Sequence, residues 1–231
     1  MQLSVFDGGV GFNVSNAGHA VTQGIEIESR ISLSESWYMT ASLAWMEFEY
    51  KDYKDGLCTS SDLLIMNDRV APSWLTYDES TQPTNCEIVY QNVPGSDQTI
   101  EVPTADLTGE TNQYVASYSG SLSLEYQNSI NDKLLFKGSV DVNFTDDYSP
   151  AQNLDPALQQ DGYEIYNIRL AIIDDISEKW EIALMGRNIT DEKIISYAND
   201  VPLSASLFGT KTSYGFVQRT ESWALQGKYN F

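Results

Sequence analysis

The side chains that could do chemistry are few and scattered. The chain has 231 residues, with one histidine, His19, and two cysteines, Cys58 and Cys86. A Ser-His-Asp set would have to use His19, and no nearby residue in the sequence positions it for that role. Asp146-Asp147 and Asp174-Asp175 are paired carboxylates. The strand pattern below puts the two pairs at opposite strand ends, so they form no general acid–base couple. Two cysteines and one distant histidine do not make a tetrahedral metal set. Asp52-Tyr53-Lys54-Asp55-Gly56 lacks the ligand spacing of a calcium loop and reads as a solvated loop. No catalytic residue, cofactor or metal is expected, and the chain reads as something other than an enzyme.

Two features remain. Cys58 and Cys86 share one long polar stretch, which predicts a disulfide and an oxidising compartment. Free thiols in an intracellular protein are the alternative. The second feature is a set of aromatics in predicted loops: Trp74, Tyr77, Tyr90, Tyr148 and Tyr197. Such residues contact a ligand or pack on one another. Charge narrows the partners. With 13 basic against 33 acidic residues the net charge is −20, so nucleic-acid phosphate is excluded. An acidic surface repels anions and attracts cations.

The elements that must position these residues read as strands. The stretch from Arg219 to Phe231 alternates: Trp223, Leu225, Gly227, Tyr229 and Phe231 on one face, Ser222, Ala224, Gln226, Lys228 and Asn230 on the other. An apolar face with aromatic ends is the pattern of a transmembrane β-strand. Trp37, Met39, Ala41, Leu43 and Trp45 repeat it, and their span matches the ~9–11 residues a tilted strand needs to cross hydrocarbon. Beyond Trp45 the same face carries Glu47 and Glu49, so the strand has left the apolar zone. Ile25, Ile27, Ile31 and Leu33 form another outward row. A regular strand is expected from Thr111, with Tyr114, Ala116, Tyr118, Leu122, Leu124 and Tyr126 outward and a serine-rich row inward. Further outward rows are Leu134 to Phe144, Tyr166 to Ile172 and Trp180 to Gly186. A first short strand is expected around Leu3 and Val5, and a bulge at Asn16-Ala17-Gly18. The opening Met1 to Phe6 lacks the regions of a signal peptide and reads as a strand already under way.

Short turns are expected near 34–36, 128–132 and 174–179, and long loops at 51–110, 146–161 and 189–218. The two kinds alternate, as in an outer-membrane barrel with short periplasmic turns and long extracellular loops. The fold class is therefore all-β: about eight up-and-down antiparallel strands of a transmembrane β-barrel. Rivals are a self-contained small barrel acting as an adhesin or structural protein, an outer-membrane enzyme, and a soluble β-sandwich such as a lectin. The small barrel would need its interior filled by side chains, and a serine row fills it poorly.

Asn16-Ala17-Gly18 followed by Gln23-Gly24-Ile25-Glu26-Ile27-Glu28 resembles a segment of TonB-dependent outer-membrane receptors. Gly186-Arg187-Asn188-Ile189-Thr190-Asp191-Glu192 is similar to their "N-L-T-D" segment near the C-terminus. Tyr229-Asn230-Phe231 resembles the terminal aromatic signal read by the barrel assembly machinery, which makes Tyr229 and Phe231 candidate assembly residues. The resemblance covers the whole chain. It implies residues 1–231 as the C-terminal part of a barrel of about 22 strands, in the outer membrane of a Gram-negative bacterium. It also implies a small nutrient ligand, foremost an iron–siderophore complex, and as partners the lipid bilayer, a plug domain and TonB. Trp74, Tyr77, Tyr148 and Tyr197 become its ligand-contact candidates.

Overall fold

The computed structural model describes residues 2–6, 12–16, 18–66, 85–92, 97, 99–177, 179–201, 204 and 208–231. In chain order the elements are β1 (Gln2–Phe6), β2 (Phe12–Asn16), β3 (His19–Ser32), β4 (Trp37–Asp52), α1 (Ser60–Met66), β5 (Cys86–Asn92) and β6 (Thr99–Ala105). There follow β7 (Tyr118–Asn131), β8 (Leu134–Thr145), β9 (Tyr163–Asp174), β10 (Trp180–Arg187), β11 (Ile195–Asp200), β12 (Ser213–Val217) and β13 (Ser222–Tyr229).

One sheet dominates. Its seven strands run in the order β13-β10-β9-β8-β7-β4-β3, and every described pairing is antiparallel. The sheet is open, with β3 and β13 as its edges. Because register steps in whole pairs, each row keeps its face across the sheet. Ile31, Met39, Leu124, Val140, Ile168, Gly186 and Trp223 form one such row, apolar throughout. A neighbouring row on the other face is Ser32, Tyr38, Glu125, Ser139, Arg169, Met185 and Ala224. The apolar face is bare: Ile25 is 65 % exposed and Leu225 77 %.

Aromatic rings close the apolar belt at both ends. At the short-turn end Trp37 and Tyr126 lie 4.7 Å apart between ring centroids, and Tyr126 and Phe136 6.1 Å. Trp180 pairs in register with Tyr229, whose ring lies 5.0 Å from that of Phe231. At the loop end Trp45 pairs with Tyr118. From Trp37 to Trp45 the strand rises roughly 26 Å, comparable to the ~25 Å apolar band of a membrane barrel. Two glycines make room for rings here. A Cβ on Gly120 would lie 2.6 Å from Phe144, and one on Gly186 would lie 2.7 Å from Trp223. Each ring covers the backbone of the glycine it pairs with.

The inner face is held by polar contacts. Ser42 and Ser121 hydroxyls are 2.8 Å apart, Ser123 donates to Asp141 at 2.6 Å, and Arg169 pairs with Glu181. Beyond Trp45 the outer face turns polar as expected, with Gln23 Nε2 donating to Glu47 at 2.7 Å.

The structure corrects several sequence expectations. Leu3 and Val5 belong to β1, which pairs with β2 in a separate two-stranded sheet, so among the described residues the wall has seven strands. The register shift falls at His19/Ala20, just after the Asn16-Ala17-Gly18 stretch, of which Ala17 lies outside the described residues. The strand expected from Thr111 starts at Tyr118. Tyr114 takes φ 61°, off the β-region, and its N–H donates to Ser149 O at 2.9 Å, so residues 111–117 join the loops. The stretches 51–110 and 189–218 contain α1 and two hairpins, β5–β6 and β11–β12. The last strand ends at Tyr229, and Phe231 lies just past it. In the 52–56 segment Asp52, Lys54 and Asp55 are exposed, as expected of a solvated loop, while Tyr53 and Gly56 are buried.

Candidate functional site

The carboxylate pairs do sit at opposite ends: Asp146-Asp147 follow β8 at the loop end, and Asp174-Asp175 end β9 at the turn end. His19 is exposed and pairs with Asp52 in register. Among the described residues, no group of three or more His, Cys, Asp or Glu could hold a metal. The assembled region is the layer formed by the three long loops.

The first loop builds a small core. Tyr50, Tyr53, Cys86, Ala105 and Leu107 are buried together, with Phe48, Cys58, Met66 and Leu154 packed against them. Backbone bonds zip its two limbs: Gly56 and Ala105 exchange N–H···O bonds of 2.9 Å, Leu107 N–H donates to Tyr53 O at 2.8 Å, and Tyr50 N–H to Glu110 O at 2.9 Å. Cys58 and Cys86 are joined, with Cα atoms 5.8 Å apart. The bridge leads directly into α1. That helix starts on a reciprocal cap: Thr59 Oγ1 accepts from Asp62 N–H at 3.1 Å, and Asp62 Oδ2 accepts from Thr59 N–H at 3.1 Å.

The third loop ties the first two together through Asp200 and Lys211. Asp200 Oδ2 accepts from Ser60 N–H at 2.8 Å and from Asn153 Nδ2 at 2.7 Å, and its Oδ1 accepts from Ser213 Oγ at 2.9 Å. Lys211 Nζ donates to Ser61 Oγ at 2.8 Å and lies 3.7 Å from the buried Asp155 carboxylate. Ile195 N–H donates to Gln160 Oε1 at 2.8 Å, and Ala198 N–H to Pro150 O at 3.2 Å. Ala151, Ile194 and Ala198 are buried at this junction.

A cavity of about 510 Å³ lies where the end of β4 meets the loops. Its lining includes Trp45, Glu110, Val115, Asp147, Tyr148 and Leu154. Leu154 has φ 53°, an unfavourable conformation for a branched side chain, and it sits on the lining. Tyr148 meets Tyr114 at a tilt and Tyr163 edge to face, with centroids 6.0 and 6.4 Å away, and its hydroxyl donates to Ile195 O at 3.4 Å. Burial, then the hydrogen bond with Tyr163, raises the Tyr148 phenol above its ordinary range. Burial does the same to Tyr114.

The sequence candidates therefore separate. Tyr148 lines the cavity. Tyr197 lies in a second aromatic group with Tyr214 and Phe216, about 6 Å from each. Tyr90 projects from β5 and is 70 % exposed. Trp74 and Tyr77 lie outside the described residues. Sequence reasoning missed Glu110 and Tyr114. Tyr114 kept strand alternation with Tyr118, which masked its place in the loops. Glu110 had no motif to mark it.

The similarity segment at 186–192 is a structural turn. Asn188 is buried at φ 48°; its Oδ1 accepts from Glu192 N–H at 2.9 Å and its Nδ2 donates to Glu192 O at 2.8 Å. Asp191 Oδ1 accepts from Glu221 N–H at 3.1 Å, just before β13. The segment ends β10 and anchors the start of the next wall strand.

No protein-family model matches the chain, and no curated protein matches it in sequence. Solved structures do. The ferric yersiniabactin uptake receptor FyuA from Yersinia pestis superimposes with TM-score 0.60 at 14 % identity, over 95 % of this chain and 25 % of the receptor. The siderophore receptor PiuA from Acinetobacter baumannii superimposes with TM-score 0.52 at 11 % identity, over 91 % of this chain and 22 % of the receptor. At this identity the likeness establishes the fold: the antiparallel β-barrel wall of such receptors, present here as an open sheet. The chain spans about a quarter of the length of the receptors it matches.

Proposed function

We propose that residues 1–231 form part of the barrel of a TonB-dependent outer-membrane receptor that takes up a small nutrient, foremost an iron–siderophore complex. The observation that carries this reading is the division of the wall: a bare apolar belt between two aromatic girdles, a polar inner face, and the long loops at one end. Two siderophore receptors share that fold over nearly the whole chain. The belt faces lipid, the loops capture ligand, and the inner face takes the plug through its polar groups. Energy coupling through TonB and insertion by the barrel assembly machinery, with Tyr229 and Phe231 as its signal, complete the proposal. The loop layer's role is binding, not catalysis.

Uptake of radiolabelled ferric chelates by iron-starved cells, with the gene intact or deleted, tests it. The expected result is loss of accumulation of one chelate class on deletion, restored by the full native gene. Unchanged uptake of every chelate tried, with the protein absent from the outer-membrane fraction, would overturn it.

A further inference from the structure

The cavity beneath the loops has a sign. Its carboxylates are Glu47, Glu110 and Asp147, and among the described residues no lysine, arginine or histidine lines it. Glu47 is engaged by Gln23. Glu110 and Asp147 are exposed, and neither side chain has a hydrogen-bond or ion-pair partner among those described. Two cations elsewhere in the loop layer are already held, Lys51 by Glu49 at 2.5 Å and Lys211 by Asp155 at 3.7 Å. Its apolar and aromatic lining includes Val115, Tyr148 and Leu154. A whole-chain charge of −20 adds a field of the same sign.

An anion entering this space would meet two carboxylates and, among the described residues, no compensating cation. Bringing like charges together in one cleft is unfavourable, and opposite charge is favoured. The apolar walls add area for a ligand body of drug-like size. We propose that the cavity selects a ligand with a positively charged group on a largely apolar or aromatic body, with Glu110 and Asp147 as the residues that set the charge preference. This rests on the receptor reading above and narrows it: the iron chelate taken up is cationic at its periphery, not a polyanionic one.

The test uses the full native polypeptide, purified in detergent, and one ferric tris-hydroxamate scaffold. Its terminal amine is left as the ammonium, acetylated or succinylated, giving cationic, neutral and anionic forms of nearly equal size. The expected result is tighter binding of the cationic than the anionic form by about tenfold or more at low salt, shrinking as salt is raised. The double substitution Glu110→Gln and Asp147→Asn should remove most of that ratio. Both positions are exposed, so the variant should fold, and its binding of the neutral form checks this. Equal affinities, a preference for the anion, or a ratio unchanged by the double variant would overturn the charge assignment and leave the receptor reading standing. If only dansylcadaverine, a metal-free cation, binds and the double variant abolishes it, the cationic cleft stands and the iron-chelate reading falls. Binding by none of the four probes would overturn the cationic cleft.

Discussion

The wall and the loop layer of this protein are stabilised in opposite ways. Below Tyr50 the wall buries little: Ala171 and Ala183 are its only fully buried apolar side chains among the described residues. Its order comes from the backbone ladder, which satisfies every paired N–H and C=O without a packed interior. The loop layer holds most of the buried apolar residues among those described, and the disulfide. The wall leaves Ile25 and Leu225 bare on its apolar face. An element that meets water must make its own core. The wall leaves its apolar face bare, and the loop layer makes its own core.

The largest effect should come from removing the bridge. It spans 28 residues of sequence, and releasing it (Cys58→Ser with Cys86→Ser) should cost the loop layer about 3.6 kcal/mol on the chain-entropy account. Hydrogen exchange should rise across residues 53–66 and 85–110 and stay unchanged in β8, β9 and β10. Equal loosening of both regions would mean that the two are one cooperative unit. A converse effect, about 3 kcal/mol, is expected for Leu43→Arg in the middle of the apolar belt. Denaturation from vesicles should show the wall weakened while the cavity keeps its affinity. Asp200→Ala comes next, at about 2 kcal/mol, because it strands Ser60 N–H and Asn153 Nδ2. Proteolysis should then cut the first and second loops faster, with the wall intact.

The smallest effect is set by pH. Tyr148 is held above its ordinary range by burial, so the folded loop layer keeps a proton that the unfolded chain releases above roughly pH 10. That contribution is whole below the unfolded value and is lost as pH rises through the folded one. Loop-layer protection should fall in this alkaline window, and Tyr148→Phe should flatten that fall. An identical pH profile in the variant would assign it to other tyrosines.

The same division governs what the sequence disclosed. Wall strands show a period of two because one face is apolar and the other polar along their length. Ile31, Met39, Leu124 and Val140 announce their row without any alignment. The loop layer leaves no such trace. Asp200 reaches Ser60 across 140 positions, and Lys211 reaches Ser61 across 150, contacts that no local pattern encodes. Tyr114 misleads for the complementary reason: its spacing from Ala116 and Tyr118 continues the strand period, while its backbone has turned out of the β-region to meet Ser149. The hairpins β5–β6 and β11–β12 were hidden among polar residues and prolines, since both project from the wall and neither lies between two lipid-type rows. Of the ligand candidates, Tyr148 was legible as an aromatic in a loop; that it shares a cavity with Glu110 and Asp147 was not.

The account stands or falls on which face of the wall meets lipid. Trp37 and Trp45 lie at opposite ends of the apolar belt, so single-tryptophan versions of the full native polypeptide can be reconstituted in vesicles with acyl chains brominated at shallow or deep positions. The account predicts that both tryptophans are quenched, each more strongly by shallow bromines than by deep ones, while a tryptophan placed at Ser123 on the inner face is not. Absence of quenching at Trp37 and Trp45, or equal quenching at position 123, would contradict it.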